Sequence, residues 1–349
     1  MVALTECSYG NTHPAPSCKL QDHRGKMKNS LIRGDEISSA IEVIKSELPG
    51  LTFKTDELMK NHTTFKIGGP VRVMYFPECM SCLTRLCDIL DECNITPLTI
   101  GNGSDLLVSD CALDLVVISM MKLNGISLID TCESLEYQDI IVEAGALLSS
   151  TAVFAYENGL TGFEFAHGIP GSLGGAVLMN AGAYGGEMKD VVLSTTVYNP
   201  KTGLQTLSGA ENEFSYRHSR FSETDDTILS AVVRLQKGDK ESILKSMEDL
   251  SVRRRTSQPL EFPSGGSTFK RPKEGYAAAL IEQAGLKGYT VGGAQVSQKH
   301  SGFIINTGSA GFSDTMAVIE HVRQTVLDKF GVELELEVKV IDKNFGNVK

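Results

Sequence analysis

Apolar residues recur at three- and four-residue spacing along residues 35–48, DEISSAIEVIKSEL, with Asp35 at one end and Pro49-Gly50 at the other. That spacing predicts an amphipathic helix with its own start and stop signals. The stretch 62–77, HTTFKIGGPVRVMYFP, reads as a turn entering a β-rich run, and 78–93, ECMSCLTRLCDILDEC, returns to helical spacing. Next comes a short strand, a glycine turn and a second apolar run over 97–110, with strands at 113–120 and 140–146 and a helix at 147–160. Strands follow at 191–199 and 227–236, then a charged amphipathic helix at 237–256 that marks a lobe boundary. Beyond it, helices are expected at 275–286 and 312–330, with a strand at 300–306 between them. The last periodic segment, VELELEVKVI (332–341), alternates strictly, which predicts a closing strand with Glu333, Glu335 and Glu337 on one face.

Length and charge narrow the possibilities. A chain of 349 residues exceeds one typical domain, and 41% hydrophobic content supplies core for a large globular enzyme. A formal net charge of −10 argues against a nucleic-acid surface, which needs a basic footprint. No apolar run has the length of a membrane-spanning helix, and the first residues lack the apolar stretch of a secretory signal. The expectation is a cytoplasmic protein whose residues 1–32 form a polar, mobile tail. Four of the eight cysteines fall in the 78–93 helix. They fit cysteine used as a small apolar residue better than a metal site, because no histidine or further CxxC lies nearby.

Glycine adds a different signal. Residues 167–187, HGIPGSLGGAVLMNAGAYGGE, hold seven glycines and no lysine or arginine, and IGGP (67–70) and GNGSD (101–105) are further glycine turns. Three such turns flanking predicted strands favour a nucleotide cofactor held by backbone N–H groups. The Rossmann fingerprint fails, since GNGSDL lacks the third glycine, so the phosphate grip is of another kind.

Taken together, HTTFKIGGP, GNGSDLLVSD, GFEFAHGIPGSLGGAVLMNAGAYGGE, YRHSRF, PSGGSTFKRP, GLKGYTVGGAQVSQKHSGFIIN and ELEVKVI resemble, in order over residues 54–342, the UDP-N-acetylenolpyruvoylglucosamine reductases. The resemblance implies an α+β chain. Its FAD-binding lobe would be of the PCMH/vanillyl-alcohol-oxidase type, with two α/β subdomains over 33–236. A substrate-binding α/β lobe at 237–331 would follow, and the segment 332–349 would return a strand to the FAD lobe. It implies FAD and NADPH as cofactors and UDP-N-acetylglucosamine-enolpyruvate as the small-molecule partner, reduced to UDP-N-acetylmuramate for peptidoglycan. Neither nucleic acid nor membrane is implied, and a monomer is expected with a dimer left open. FAD contacts carried over by motif are Ile67, Gly68 and Gly69; Gly101, Asn102, Gly103, Ser104 and Asp105; and Gly168, Ile169, Pro170, Gly171, Ser172, Gly174, Gly175 and Ala176. Asn180, Gly182 and Ala183 are expected neighbours.

The same resemblance implies the chemistry: hydride delivered to C3 of the enolpyruvyl group and a proton to C2. Ser267 matches the proton donor, Arg217 an arginine on the substrate carboxylate, with Arg220 its local rival, and Glu337 the catalytic glutamate. Tyr184, Ser219, Gln258, Lys270 and Gln295 are expected in the substrate pocket, and His167 and His300 as structural or pocket-lining residues. Ser257 stands where relatives often carry lysine, and no insertion supplies a substrate-clamping tyrosine loop, so the chain resembles the shorter subtype. Two other readings stay open at this level: a flavin oxidoreductase of the same fold with another substrate, or a flavin-binding regulatory protein without activity.

Overall fold

The computed structural model describes residues 34–130 and 136–343; the tail expected at 1–32 lies outside them. Helix α1 (Gly34–Glu47) buries Ile37, Ala40, Ile41 and Ile44, the stripe its spacing predicted. It packs beside α2 (Met80–Glu92), whose buried face is Leu83, Leu86, Cys87, Ile89 and Leu90. Next to them lies a four-stranded sheet in the order Thr52–Leu58, Pro70–Phe76, Leu113–Ser119, Leu98–Ile100. Its first pair is antiparallel and the other two are parallel. Strand Thr52–Leu58 was not anticipated: it exposes most of its length and carries little apolar alternation.

A second sheet is antiparallel throughout, in the order Gly203–Ser208, Val192–Asn199, Thr227–Lys237, Tyr137–Glu143, Ile126–Leu128, with Leu160–Thr161 pairing onto the end of the long central strand. Helices α3 (Leu148–Glu157) and α4 (Leu173–Met179) bury Leu148, Ala152, Leu173 and Val177 in one core shared with α1, α2 and both sheets. Burial on this scale stabilises at roughly 25 cal/mol per Å² of apolar surface removed from water.

The C-terminal part has its own core. A three-stranded meander, Thr290–Val291, Ala294–Val296 and Ile304–Asn306, is covered by α6 (Ala277–Gln283) and α7 (Phe312–Phe330). Phe65, Ile67 and Leu107 from the N-terminal half are built into the same core. Helix α5 (Lys240–Ser257), which the resemblance placed in this C-terminal lobe, buries Ile243 and Met247 in the larger core beside α3. By packing, the change of core therefore comes after α5 rather than at residue 237.

The closing segment also departs from its alternation. Only Lys339–Ile341 is strand, and it pairs in parallel with Leu106–Val108. Before it, Leu336 bridges Phe269, and the backbone bends at Glu337 and Val338. Val332, Leu334 and Val338 enter the C-terminal core, whereas Ile341 enters a third cluster with Met59, Val71 and Val108. One-sided burial produced the alternating pattern; continuous pairing did not.

Candidate active site

The glycine loops meet one another. Asn102 Nδ2 donates to the Pro170 carbonyl at 2.6 Å, and a Cβ on Gly101 would collide with Ser172 Oγ. Gly103, at φ +60°, lies against the His62 carbonyl, and its own carbonyl accepts from Thr64 N at 3.1 Å. Among the described residues, the amides of Asn102, Gly103 and Ser104 donate to no protein acceptor. On the facing loop, a Cβ at Gly171 or Gly175 would meet nothing nearer than 3.6 Å, so this side of the cradle is open to a ligand. A neutral, glycine-lined groove with free N–H groups suits a pyrophosphate. The residues present therefore fit FAD.

Not every glycine in the motifs serves that groove. Gly69 donates to the Ser109 carbonyl at 2.7 Å and abuts the Asp110 backbone, while Gly68 packs on Met59 and Val108. Ile67 is buried in the C-terminal core. Close packing inside the chain accounts for the glycines of the IGGP turn, and the Gly69 N–H, already bonded to Ser109, is not free to hold a phosphate. Gly174 likewise donates to Ala144 O at 2.8 Å and seats α4 on the sheet.

Asn180 ends α4 in the left-handed region, φ 42°, and is fully buried. Its Nδ2 donates to Glu187 Oε2 and to the Ser215 carbonyl, both at 2.9 Å, and its Oδ1 accepts from Lys189 N at 2.9 Å. Its amide donors and its oxygen are all engaged within the chain, and one of these bonds holds the turn 215–218. There Ser215 and His218 exchange backbone hydrogen bonds of 3.0 and 3.3 Å around Tyr216 and Arg217. Arg217 sits at φ 54°, where a side chain costs on the order of 1 kcal/mol. Asn180, Tyr184 and Arg217 are three of the seven non-glycine residues with positive φ among those described. Such clustering of strain in one place is a mark of a functional site.

The guanidinium of Arg217 reaches Glu337: Nε donates to Oε1 at 2.7 Å, and Nη2 to the Gly182 carbonyl at 3.4 Å. Glu337 belongs to the bend of the closing segment, and there its side chain is 16% exposed, against 78% for Glu333 and 75% for Glu335. Burial holds its carboxyl above the ordinary carboxylate range, although Arg217 pulls the other way. The buried Asp105 carboxyl, itself raised by burial, adds to the effect.

Ser267 is brought to the same place by backbone pairing. Glu337 N donates to the Thr268 carbonyl at 2.9 Å, Lys270 N to the Glu335 carbonyl at 2.9 Å, and Thr268 N to the Gly302 carbonyl at 2.9 Å. A Cβ on Gly265 would strike the Phe65 ring and Val338, and Gly266 turns at φ +77°, so the loop needs both glycines. Thr268 is fully buried and accepts from Ile304 N at 3.2 Å, leaving Ser267 at the half-buried surface between them.

Other expected residues fall into two groups. Lys270 lies near Glu335 at 3.4 Å and acts electrostatically on Glu337, and Tyr184 is exposed on the hairpin that carries Gly182 and Ala183. Ser219 is a correction: it is fully buried and donates to the Leu178 carbonyl at 2.8 Å, which leaves it anchoring the loop rather than lining a pocket. Gln295 donates to Thr290 Oγ1 at 2.9 Å on the meander, and Gln258 has its buried Oε1 unpaired at the end of α5. Arg220 turns towards the Glu211 carbonyl, so the two arginines of YRHSRF part, and Arg217 alone takes Glu337. His167 and His300 are pushed down by burial and engage Ser251 and the Gly302 amide respectively.

Sequence reasoning missed Arg254. Its guanidinium packs on Gly168, burial lowers its pKa, and Tyr184 is near enough to offset that electrostatically. No carboxylate partner pairs with it among the described residues. Helix α5 thus brings a cation beside a glycine-rich stretch that has none of its own. The RRRT run was the available signal, hidden because it read as a solvated helix face.

Residues 71–208 match the FAD binding domain family, and residues 258–341 match the UDP-N-acetylenolpyruvoylglucosamine reductase C-terminal domain family. A UDP-N-acetylenolpyruvoylglucosamine reductase of Caldanaerobacter subterraneus subsp. tengcongensis is 49% identical over 82% of this chain and 92% of its own length. The chain belongs to the UDP-N-acetylenolpyruvoylglucosamine reductase family. The reductase of Agathobacter rectalis is 46% identical over 86% of the chain and 98% of its own. Among solved structures, the family's enzyme from Thermus caldophilus superposes with a TM-score of 0.68 at 30% identity, covering 84% of this chain and 99% of that one. The reductase fold thus runs through both cores, and its C-terminal family match begins just after α5.

Proposed function

We propose that Arg217, Ser267 and Glu337 carry the reduction of UDP-N-acetylglucosamine-enolpyruvate to UDP-N-acetylmuramate, the activity for which the family is named. The chain is an FAD-dependent oxidoreductase of peptidoglycan precursor synthesis, with NADPH as the reductant. Bound FAD, once reduced, supplies a hydride to C3 of the enolpyruvyl group. Charge then grows on the substrate carboxylate, and Arg217, held rigid by the turn and by Asn180, is the cation that stabilises it. Ser267 delivers the proton to C2. A serine hydroxyl is a weak acid, so it needs a group that polarises it, and that part is assigned to Glu337, whose backbone pairs with the adjacent Thr268. Arg254 and Lys270 contribute positive charge toward the anionic sugar nucleotide. Among the described residues no helix is long and apolar enough to cross a membrane.

The observation that carries this reading is the convergence of residues 217, 267 and 337, distant in sequence, through the 2.7 Å ion pair and the Thr268–Glu337 backbone bond. The test is NADPH oxidation by the flavin-loaded protein with and without the enolpyruvyl sugar nucleotide, in the native chain and in Ser267→Ala. Substrate-dependent turnover is expected in the first, with flavin reduction intact but product lost in the second. A flavin-loaded native protein with no substrate-dependent turnover overturns the assignment, and equal loss of both half-reactions in the variant removes Ser267 from the proton step.

A further inference from the structure

The reductase reaction leaves the cysteines of the 78–93 helix without a role. Cys79 is the N-cap of α2: its Sγ accepts from Cys82 N at 3.3 Å, and Ser81 Oγ lies 3.2 Å away. The Cys79 and Cys82 sulfurs share a hydrogen bond at 2.8 Å, closer than two sulfurs lie without interacting. Both are free, Cys79 exposed and Cys82 partly so, which leaves them open to small reagents.

We propose that Cys79 and Cys82 form a redox site, oxidised by hydrogen peroxide to an intramolecular disulfide. The Cys79 thiolate attacks one peroxide oxygen, the O–O bond breaks, and a sulfenic acid forms as hydroxide leaves and takes up a proton to become water. Cys82 gives up its proton and attacks the sulfenic sulfur; the S–S bond forms, the S–O bond breaks, and a second water departs. Two thiols lose two electrons, and one peroxide becomes two waters.

The neighbours set the order of events. Donation from Cys82, Ser81 and the Cys82 amide lowers the Cys79 thiol, whereas the bond to Cys79 and the nearby charge of Glu78 raise Cys82. One sulfur is thus the nucleophile and the other the resolving thiol. The remaining described cysteines differ. Cys87 is buried with its thiol pushed up to about 11, burial raises Cys93, and Cys111 is exposed with no sulfur hydrogen-bonded to it among the described residues. A metal role has less support, since no group of three or more metal-ligating side chains occurs among the described residues.

Trypsin releases both sulfurs in one peptide, residues 73–85, which holds no other cysteine. The flavin-loaded full chain, reduced and freed of reductant, is treated with limiting hydrogen peroxide, quenched with iodoacetamide and digested. The peptide is expected to lose two hydrogens, to resist alkylation and to recover both sites after dithiothreitol, while Cys111 stays alkylated. In Cys82→Ser a sulfenic acid on Cys79 should be captured by dimedone, and in Cys79→Ser oxidation at Cys82 should slow by at least about tenfold. Reductase turnover of both variants should match the native enzyme. A peptide that remains doubly alkylated at a dose that oxidises Cys111 overturns the proposal, as does oxidation of Cys82 in Cys79→Ser at the native rate.

Discussion

Glu337→Gln separates the chemistry of the site from its stability. The native carboxyl is neutralised at acid pH, and a glutamine has the same shape, so there the two proteins should differ by no more than about 1 kcal/mol. Burial places the native pKa of Glu337 above its ordinary value despite the 2.7 Å contact with Arg217. Between the ordinary value and the raised one, the folded chain holds a proton that the unfolded chain has released. Stability of the native protein therefore falls as pH rises through that window, by about 1.4 kcal/mol for each unit of elevation. The glutamine cannot ionise and escapes this loss, so relative to native it should gain stability on going from acid to neutral pH. Catalysis should move the other way. If Glu337 polarises Ser267 as proposed, the proton step should lose about a hundred- to ten-thousandfold, the usual range for general acid–base assistance. Thermal melting across the acid-to-neutral range checks the first half. Stopped-flow spectroscopy, reducing the flavin with NADPH and then mixing with substrate, checks the second. A variant whose stability drops relative to native as pH rises, or whose flavin reoxidation by substrate stays within a few-fold of native, would refute the reasoning.

Three further outcomes follow from the contacts. Gly101→Ala drives a Cβ into Ser172 Oγ and should push the two cradle loops apart, weakening FAD retention by at least about tenfold; adding Ser172→Gly should restore it, as read by flavin fluorescence on dilution. Asn180→Ala removes three hydrogen bonds from a buried, left-handed position and should cost about 2–4 kcal/mol in urea unfolding. Arg254→Gln should raise KM for the sugar nucleotide about tenfold while leaving flavin reduction by NADPH unchanged; an unaltered KM takes Arg254 out of the substrate cleft.

What was legible in the chain divides by the range of the forces involved. Helix α7 shows its bounds in sequence because its capping signal, its stripe of Val318, Ile319, Val322 and Val326 and its terminal Gly331 are all local. The segment 332–341 shows its buried face equally well, since Leu334 and Val338 do enter a core, but period two is blind to where a backbone bends. That bend separates Glu337 from Glu333 and Glu335 and turns it toward Arg217. Only tertiary partners produce it: Thr268 on one side and the parallel pairing of Lys339 with Leu106 on the other. The glycines were similarly ambiguous, because close approach to a ligand and close approach to the chain's own backbone demand the same residue. Gly69 against Asp110 and Gly171 facing open space differ only once the fold exists. Arg254 escaped notice for the converse reason, as an arginine on a charged helix becomes a partly buried cation only when α5 docks beside Gly168. The glycine-rich stretch thus does more than its composition announces. It carries Asn180, which donates to Ser215 in the Ser215–His218 turn, and Gly182, whose carbonyl accepts from Arg217, so the loop proposed to cradle the cofactor also positions the arginine proposed to meet the substrate. A change at Asn180 should therefore reach KM and turnover as well as stability.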